Sequence, residues 1–173
     1  MDQPSVGILH PGSMGAAVAS CAATNAATVL WCTDRRSPAS AARAQQLGLE
    51  PVPTLHKLLD RSDVVISLCP PAAVEDVAHE VASFPYAGLY VEANAINPER
   101  ALGIARLLGP DATVVDGAVV GSPPMNGKRP TLYCPARPPR PNAWSHSSPA
   151  PRCLANHEHR IEWDLRTPSH PTL

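Results

Sequence analysis

Along the first 133 residues, short runs of branched apolar residues alternate with alanine-rich stretches in which apolar positions recur every three or four residues. The runs are Val6–Leu9, Thr28–Cys32, Val64–Leu68, Gly88–Glu92 and Thr113–Asp116, with a weaker one near Leu49–Val52. They are continuously apolar rather than alternating, the composition of strands covered by helices on both faces. Between them, Met14, Ala17, Val18, Cys21 and Ala22 share one helical face. Val74, Val77, Ala78 and Val81 form a second such face, with Glu75, Asp76 and Glu80 turned outward. Ser37-Pro38 and Asn97-Pro98 each place a capping side chain before a proline at the first helical position, and Gly48 and Gly109 fall where helices should stop. Asn126-Gly127 is the turn signal of a hairpin whose returning strand is Thr131–Cys134. The pattern predicts an α/β fold with a mostly parallel sheet and crossover helices.

Composition divides the chain at residue 133. All ten glycines and every valine precede that point, whereas residues 134–173 hold eight of the 21 prolines and four of the seven histidines. Few branched apolar residues and many prolines predict a disordered Pro/Arg/His-rich tail over 134–173, behind a single domain over 1–133. A net charge of −1 argues against a nucleic-acid or anionic-membrane partner held by bulk electrostatics. With no basic-apolar leader and no apolar run long enough to span a bilayer, the expected location is the cytoplasm. Five cysteines without a C-x-x-C pair signal neither a disulfide framework nor structural zinc. Cys153, His157 and His159, near His146, have metal-ligand chemistry but no recognised spacing, so no metal site is expected.

Candidate chemistry begins at the first strand-to-helix turn, His10-Pro11-Gly12-Ser13-Met14-Gly15. Gly12 and Gly15 occupy the second and third glycine positions of a G-x-G-x-x-G dinucleotide fingerprint, and His10 replaces the first. In that fingerprint one glycine lets a pyrophosphate approach the backbone, and the next lets helix and strand pack closely.

Four motifs follow one another in order at strand ends: Gly12-Ser13-Met14-Gly15, Cys69-Pro70-Pro71, Glu92-Ala93-Asn94-Ala95-Ile96-Asn97-Pro98 and Asp116-Gly117-Ala118-Val119-Val120-Gly121. Over about residues 5–133 the chain resembles the NAD(P)-binding domain of the β-hydroxyacid dehydrogenases, the family of 6-phosphogluconate and 3-hydroxyisobutyrate dehydrogenases. The resemblance implies a Rossmann-type doubly wound sheet and hydride transfer between a 3-hydroxy acid and a nicotinamide cofactor. It places the pyrophosphate on Pro11, Gly12, Ser13, Met14 and Gly15, and cofactor selection on Thr33, Asp34, Arg35 and Arg36. Arg35, Arg36 and the Ser37 hydroxyl together outweigh the one carboxylate, which favours NADP, with NAD the alternative. Cys69 and Pro70 would pass under the cofactor ribose. Asn94 stands where the family carries a serine that touches nicotinamide and substrate. Ser122, two positions past the family's substrate-binding serine position, is the other substrate candidate.

The resemblance also implies a catalytic lysine in a helical C-terminal domain, well beyond the hairpin. The two lysines here, Lys57 and Lys128, match no such position, so no catalytic residue is identified. The expected function is an NADP-binding domain of an oxidoreductase, impaired in catalysis as this chain; a non-catalytic dinucleotide-binding module or a truncated fragment is the alternative. Its partner would be a small 3-hydroxy acid, and a homodimer is not expected without the helical domain. The tail is either read out of frame or a genuine proline-rich segment. A missing helical domain would leave an apolar docking surface near Val119 and Val120.

Overall fold

A computed structural model describes residues 3–121 and 131–133. Six strands form one parallel sheet: β1 (Ser5–Ile8), β2 (Thr28–Cys32), β3 (Glu50–Val52), β4 (Val64–Ser67), β5 (Leu89–Glu92) and β6 (Thr113–Asp116). Each lies within one residue of the expected run. Their order is β3-β2-β1-β4-β5-β6, so the chain reverses its direction of travel between β1 and β4. This is the Rossmann arrangement, and ligands in such sheets sit outside the carboxyl ends of the strands at that reversal. Five helices make the crossovers: α1 (Ser13–Ala22), α2 (Pro38–Gln46), α3 (Leu55–Asp60), α4 (Val74–Ala82) and α5 (Pro98–Leu108). A short antiparallel pair, β7 (Ala118–Val120) with β8 (Thr131–Tyr133), follows. Its Asn126-Gly127 turn lies outside the described residues, as do Ser122, Lys128 and everything after Tyr133.

The continuously apolar strands are buried on both sides. Val6, Ile8, Val29, Trp31, Val64 and Ile66 face one core, which α1 closes with Val18, Ala19 and Ala22. The alternate residues Leu30, Cys32, Val65 and Tyr90 face a second core, closed by Leu58 of α3 and by Val74, Val77, Ala78 and Val81 of α4. On α4 the expected face is the buried one, and Glu75 and Asp76 in its first turn complement the helix dipole. On α1 the buried set is Gly15, Ala16, Ala17, Val18, Ala19 and Ala22, while Met14 and Cys21 are half-buried. That helix is small and apolar nearly all round, so residue spacing alone does not choose its inner face. Ser37 and Asn97 cap α2 and α5 by accepting from Ser40 N and Arg100 N. Gly48 and Gly109 end the same helices at φ +66° and +80°, where glycine carries no β-carbon penalty. Val119 and Leu132 pack into the first core, whereas Val120 is 57 % exposed.

The β1–α1 turn is the tightest junction. A β-carbon at Gly15 would lie 2.0 Å from the His10 carbonyl oxygen, whereas nothing lies within 4 Å of one at Gly12. Burial, and then the Arg36 charge, lower the His10 imidazole to about 4, so the ring is neutral at pH 7.

Two outcomes follow for unfolding experiments. Gly15→Ala loses about 1–3 kcal/mol by overpacking, whereas Gly12→Asp loses nothing, because its side chain meets open space at a helix N-cap that favours aspartate. Chemical denaturation measures both, and equal losses would contradict the geometry. The unfolded chain takes up a proton at His10 as pH falls through 6.5 and the folded chain only near 4, so His10 makes the fold lose stability as pH falls across that window. His10→Asn flattens that slope in stability measured against pH, and an unchanged slope would show that the ring is not held neutral.

Candidate dinucleotide site

Outside the carboxyl ends of β1, β2 and β4 lies an open cleft of about 490 Å³. It brings together nine of the residues singled out in the sequence: Pro11, Gly12, Ser13, Met14, Gly15, Arg35, Arg36, Cys69 and Pro70. His10, Ser37, Ser40 and Leu68 complete its lining. Thr33, Asp34 and Asn94 do not line it. Thr33 instead donates from both its amide and its hydroxyl to the Val52 carbonyl, fixing the end of β2 to β3.

The floor of the cleft is the N-terminus of α1. The first intrahelical bond runs from Ala16 N to Gly12 O at 2.8 Å, leaving the Ser13, Met14 and Gly15 amides without a carbonyl partner in the helix. Gly12 offers no side chain to cap them, and the first turn carries no acidic residue. Three unsatisfied amides and the positive end of a helix dipole suit a phosphate oxygen.

A cationic wall adjoins this floor. Arg35 sits at φ +53°, a left-handed conformation uncommon for a residue with a β-carbon and worth about 1–2 kcal/mol of strain. Its guanidinium pairs with Asp34 at 3.2 Å and reaches Glu80 at 3.8 Å, and its side chain is 80 % exposed. Such surface pairs add little stability, but this one turns the Asp34 carboxylate toward Arg35 instead of the cleft. Arg36 is half-buried, and its Nε, like His10 Nδ1, is shielded from solvent with no hydrogen-bond partner. Among the described residues no carboxylate lines the cleft. Two guanidinium groups beside open helix amides suit a ligand that carries phosphate.

Arg43 escaped the sequence reading. From α2 it donates through Nε to Pro11 O at 3.2 Å and through Nη2 to Ser40 Oγ at 3.2 Å, bracing the turn from outside. Its one legible signal was position, three residues after Ser40 and so on the same side of α2.

Behind the Leu68–Pro70 side of the cleft, the strand ends are built differently. Ser67, Glu92 and Asp116 are register partners on adjacent strands, a polar row across the carboxyl ends of β4, β5 and β6. Glu92 is fully buried, and burial pushes its carboxyl up, with the hydrogen bonds from Asn94 opposing and the Asp116 charge adding to the rise. Burial likewise raises Asp116. The Cys69 thiol is pushed up by burial first and by the Glu92 charge second, so it is not a thiolate nucleophile. Asn94 is 4 % exposed, and its side chain points inward to Glu92 and Cys69. Lys57 is exposed on α3, and among the described residues no lysine lines the cleft. Among the described residues no helix is long and apolar enough to cross a membrane, and no group of three or more potential ligands could hold a metal ion.

Comparison with known proteins agrees with this architecture. No curated protein is similar enough in sequence to count as a match. Among solved structures, the conserved protein MTH1747, of unknown function and described as similar to 3-hydroxyacid dehydrogenases, superposes with a TM-score of 0.62 at 26 % identity over 68 % of this chain and 44 % of its own. The Mycobacterium tuberculosis 3-hydroxyisobutyrate dehydrogenase, solved with L-serine, gives 0.61 at 20 % over 69 % and 42 %. An Aspergillus terreus imine reductase, solved with NADPH4, gives 0.56 at 22 % over 71 % and 43 %. The chain thus spans less than half the length of each, and the last two likenesses are of fold alone. Residues 5–91, just over half of the chain, match the family described as NADP oxidoreductase, coenzyme F420-dependent, and the protein belongs to that family.

Proposed function

We propose that the chain binds NADP(H) in this cleft, as the dinucleotide-binding part of an oxidoreductase that moves hydride between the cofactor and a small 3-hydroxy acid. One observation carries the reading: the uncapped amides of α1 and the Arg35–Arg36 wall open onto one cleft that, among the described residues, no carboxylate lines. Pro11 to Gly15 would hold the pyrophosphate, Arg35, Arg36 and Ser37 the 2′-phosphate, and Cys69 and Pro70 the ribose beyond it. Bound there, the nicotinamide supplies the hydride donor or acceptor. Ser122 as a substrate contact belongs to the same proposal.

Binding without turnover is the expected behaviour of the described part alone. Its cleft holds a neutral His10 and an un-ionised Cys69 but no lysine, and acid–base assistance is worth about 10²–10⁴ in rate.

Cofactor titration followed by nicotinamide fluorescence tests the assignment. Wild type binds NADPH more tightly than NADH. Gly12→Asp abolishes binding of both while the protein stays folded, because a carboxylate then faces the pyrophosphate; unchanged affinity would sink the assignment. Arg35→Ser combined with Arg36→Ser weakens NADPH by about tenfold or more, as expected for lost charge-assisted bonds, and leaves NADH within about twofold. Equal losses for the two cofactors would place the 2′-phosphate elsewhere.

A further inference from the structure

Two prolines make the cleft's β4 side hard to fix in place. Pro70 and Pro71 have no amide proton, so the Cys69 N–H is the last donor by which the segment leaving β4 can be held. That amide donates to Asn94 Oδ1 at 3.0 Å. The Asn94 side-chain nitrogen donates to Glu92 Oε1 and, at 3.8 Å, to Cys69 Sγ, while the Asn94 backbone amide reaches the same Glu92 oxygen at 3.0 Å. Both amide protons of the carboxamide are thus used inside the protein, and its orientation is settled by a carboxyl that is itself 0 % exposed. On the far side of the prolines Arg100, held by Glu75, donates to Pro71 O at 2.8 Å.

We infer that Asn94 is a positioning residue rather than a ligand contact: oriented by Glu92, it latches the Leu68–Pro70 segment and so shapes the half of the cleft distant from the cationic wall. The inference rests on the proposed NADP(H) site and adds a division of labour to it. Gly12, Arg35 and Arg36 hold the adenosine and phosphate half directly. Glu92 and Asn94 act on the nicotinamide-ribose half through Cys69, without touching the ligand. A ligand contact through the Asn94 side-chain nitrogen would have to give up Cys69 or Glu92, and the side chain does not line the cleft. The Glu92 oxygen that Asn94 does not use, Oε2, lies buried without a partner, as do Ser67 Oγ and Tyr90 OH. Glutamine at position 92 therefore keeps the latch, with one oxygen for both Asn94 donors and its own amide toward those hydroxyls, whereas leucine removes it.

The test compares two ligands on the full chain, NADPH and adenosine 2′,5′-bisphosphate, the second of which reaches only the phosphate half. In Asn94→Ala and Glu92→Leu the affinity for NADPH falls about tenfold, the scale of one lost buried hydrogen bond, while that for the bisphosphate stays within about twofold. Glu92→Gln keeps both affinities within about threefold. In the free protein, hydrogen exchange of the Cys69 amide is slow in wild type and Glu92→Gln and fast in Asn94→Ala, which supplies a reading should Glu92→Leu fail to fold. Equal weakening of both ligands, an unchanged NADPH affinity, or a Cys69 amide that stays protected in Asn94→Ala would each overturn the latch. Wild type that binds the bisphosphate and NADPH while the variants show no split refutes the latch alone. Wild type that binds neither ligand refutes the site and the latch together.

Discussion

Between Gly15 and the carbonyl oxygen of His10 there is no room for a methyl group, since a β-carbon there would lie 2.0 Å from that oxygen. Because the helix lies this close to the end of β1, its axis points its first turn across the carboxyl ends of β1 and β4, where the sheet reverses its order. The Ser13, Met14 and Gly15 amides then face a cleft instead of protein. Arg43 supports the same turn from α2 by binding the Pro11 carbonyl, so the loop is clamped from both sides before any ligand arrives. A site built this way needs little reorganisation on binding, the general route by which preorganised groups gain affinity.

The cleft is electrostatically divided. One end gathers Arg35, Arg36 and the α1 N-terminus, with Asp34 drawn onto Arg35. The other end is lined by Leu68, Cys69 and Pro70, a segment that Asn94 ties to Glu92 in a row of Ser67, Glu92 and Asp116 behind the lining, where burial pushes both carboxyls up. A ligand with two or three phosphates at one end and a less charged ring at the other matches that division. The two ends are also built by different means: backbone amides and guanidinium groups line the first, and a buried hydrogen-bond chain fixes the backbone at the second.

Much of this was legible from residue order. The strands could be placed because a doubly covered parallel sheet demands continuous branched apolar runs, and Val64–Ser67 or Thr28–Cys32 admit no other reading once helices flank them. Ser37-Pro38, Asn97-Pro98, Gly48 and Gly109 are local chemistry and appear where that chemistry puts them. The inner face of α1 was not legible, because an alanine-rich helix has no polar side to exclude. In the site, Gly12 and Gly15 were legible from the glycine fingerprint after β1, and Arg35 and Arg36 from the family resemblance at the end of β2. The inward turn of Asn94 and the brace from Arg43 depend on contacts across 25 and 32 residues of chain, which no local pattern encodes. The same holds for Thr33 and Asp34, which follow β2 as expected but bond to β3 and to Arg35 rather than opening onto the cleft.

The central claim is that a dinucleotide phosphate rests on the N-terminus of α1. A residue-resolved chemical-shift titration of the full chain with NADPH tests it most directly. The account predicts saturable shifts largest at the backbone amides of Gly12, Ser13 and Met14 and at the Arg36 side chain. Shifts confined to the groove between α4 and α5, or none at all at millimolar cofactor, would contradict it.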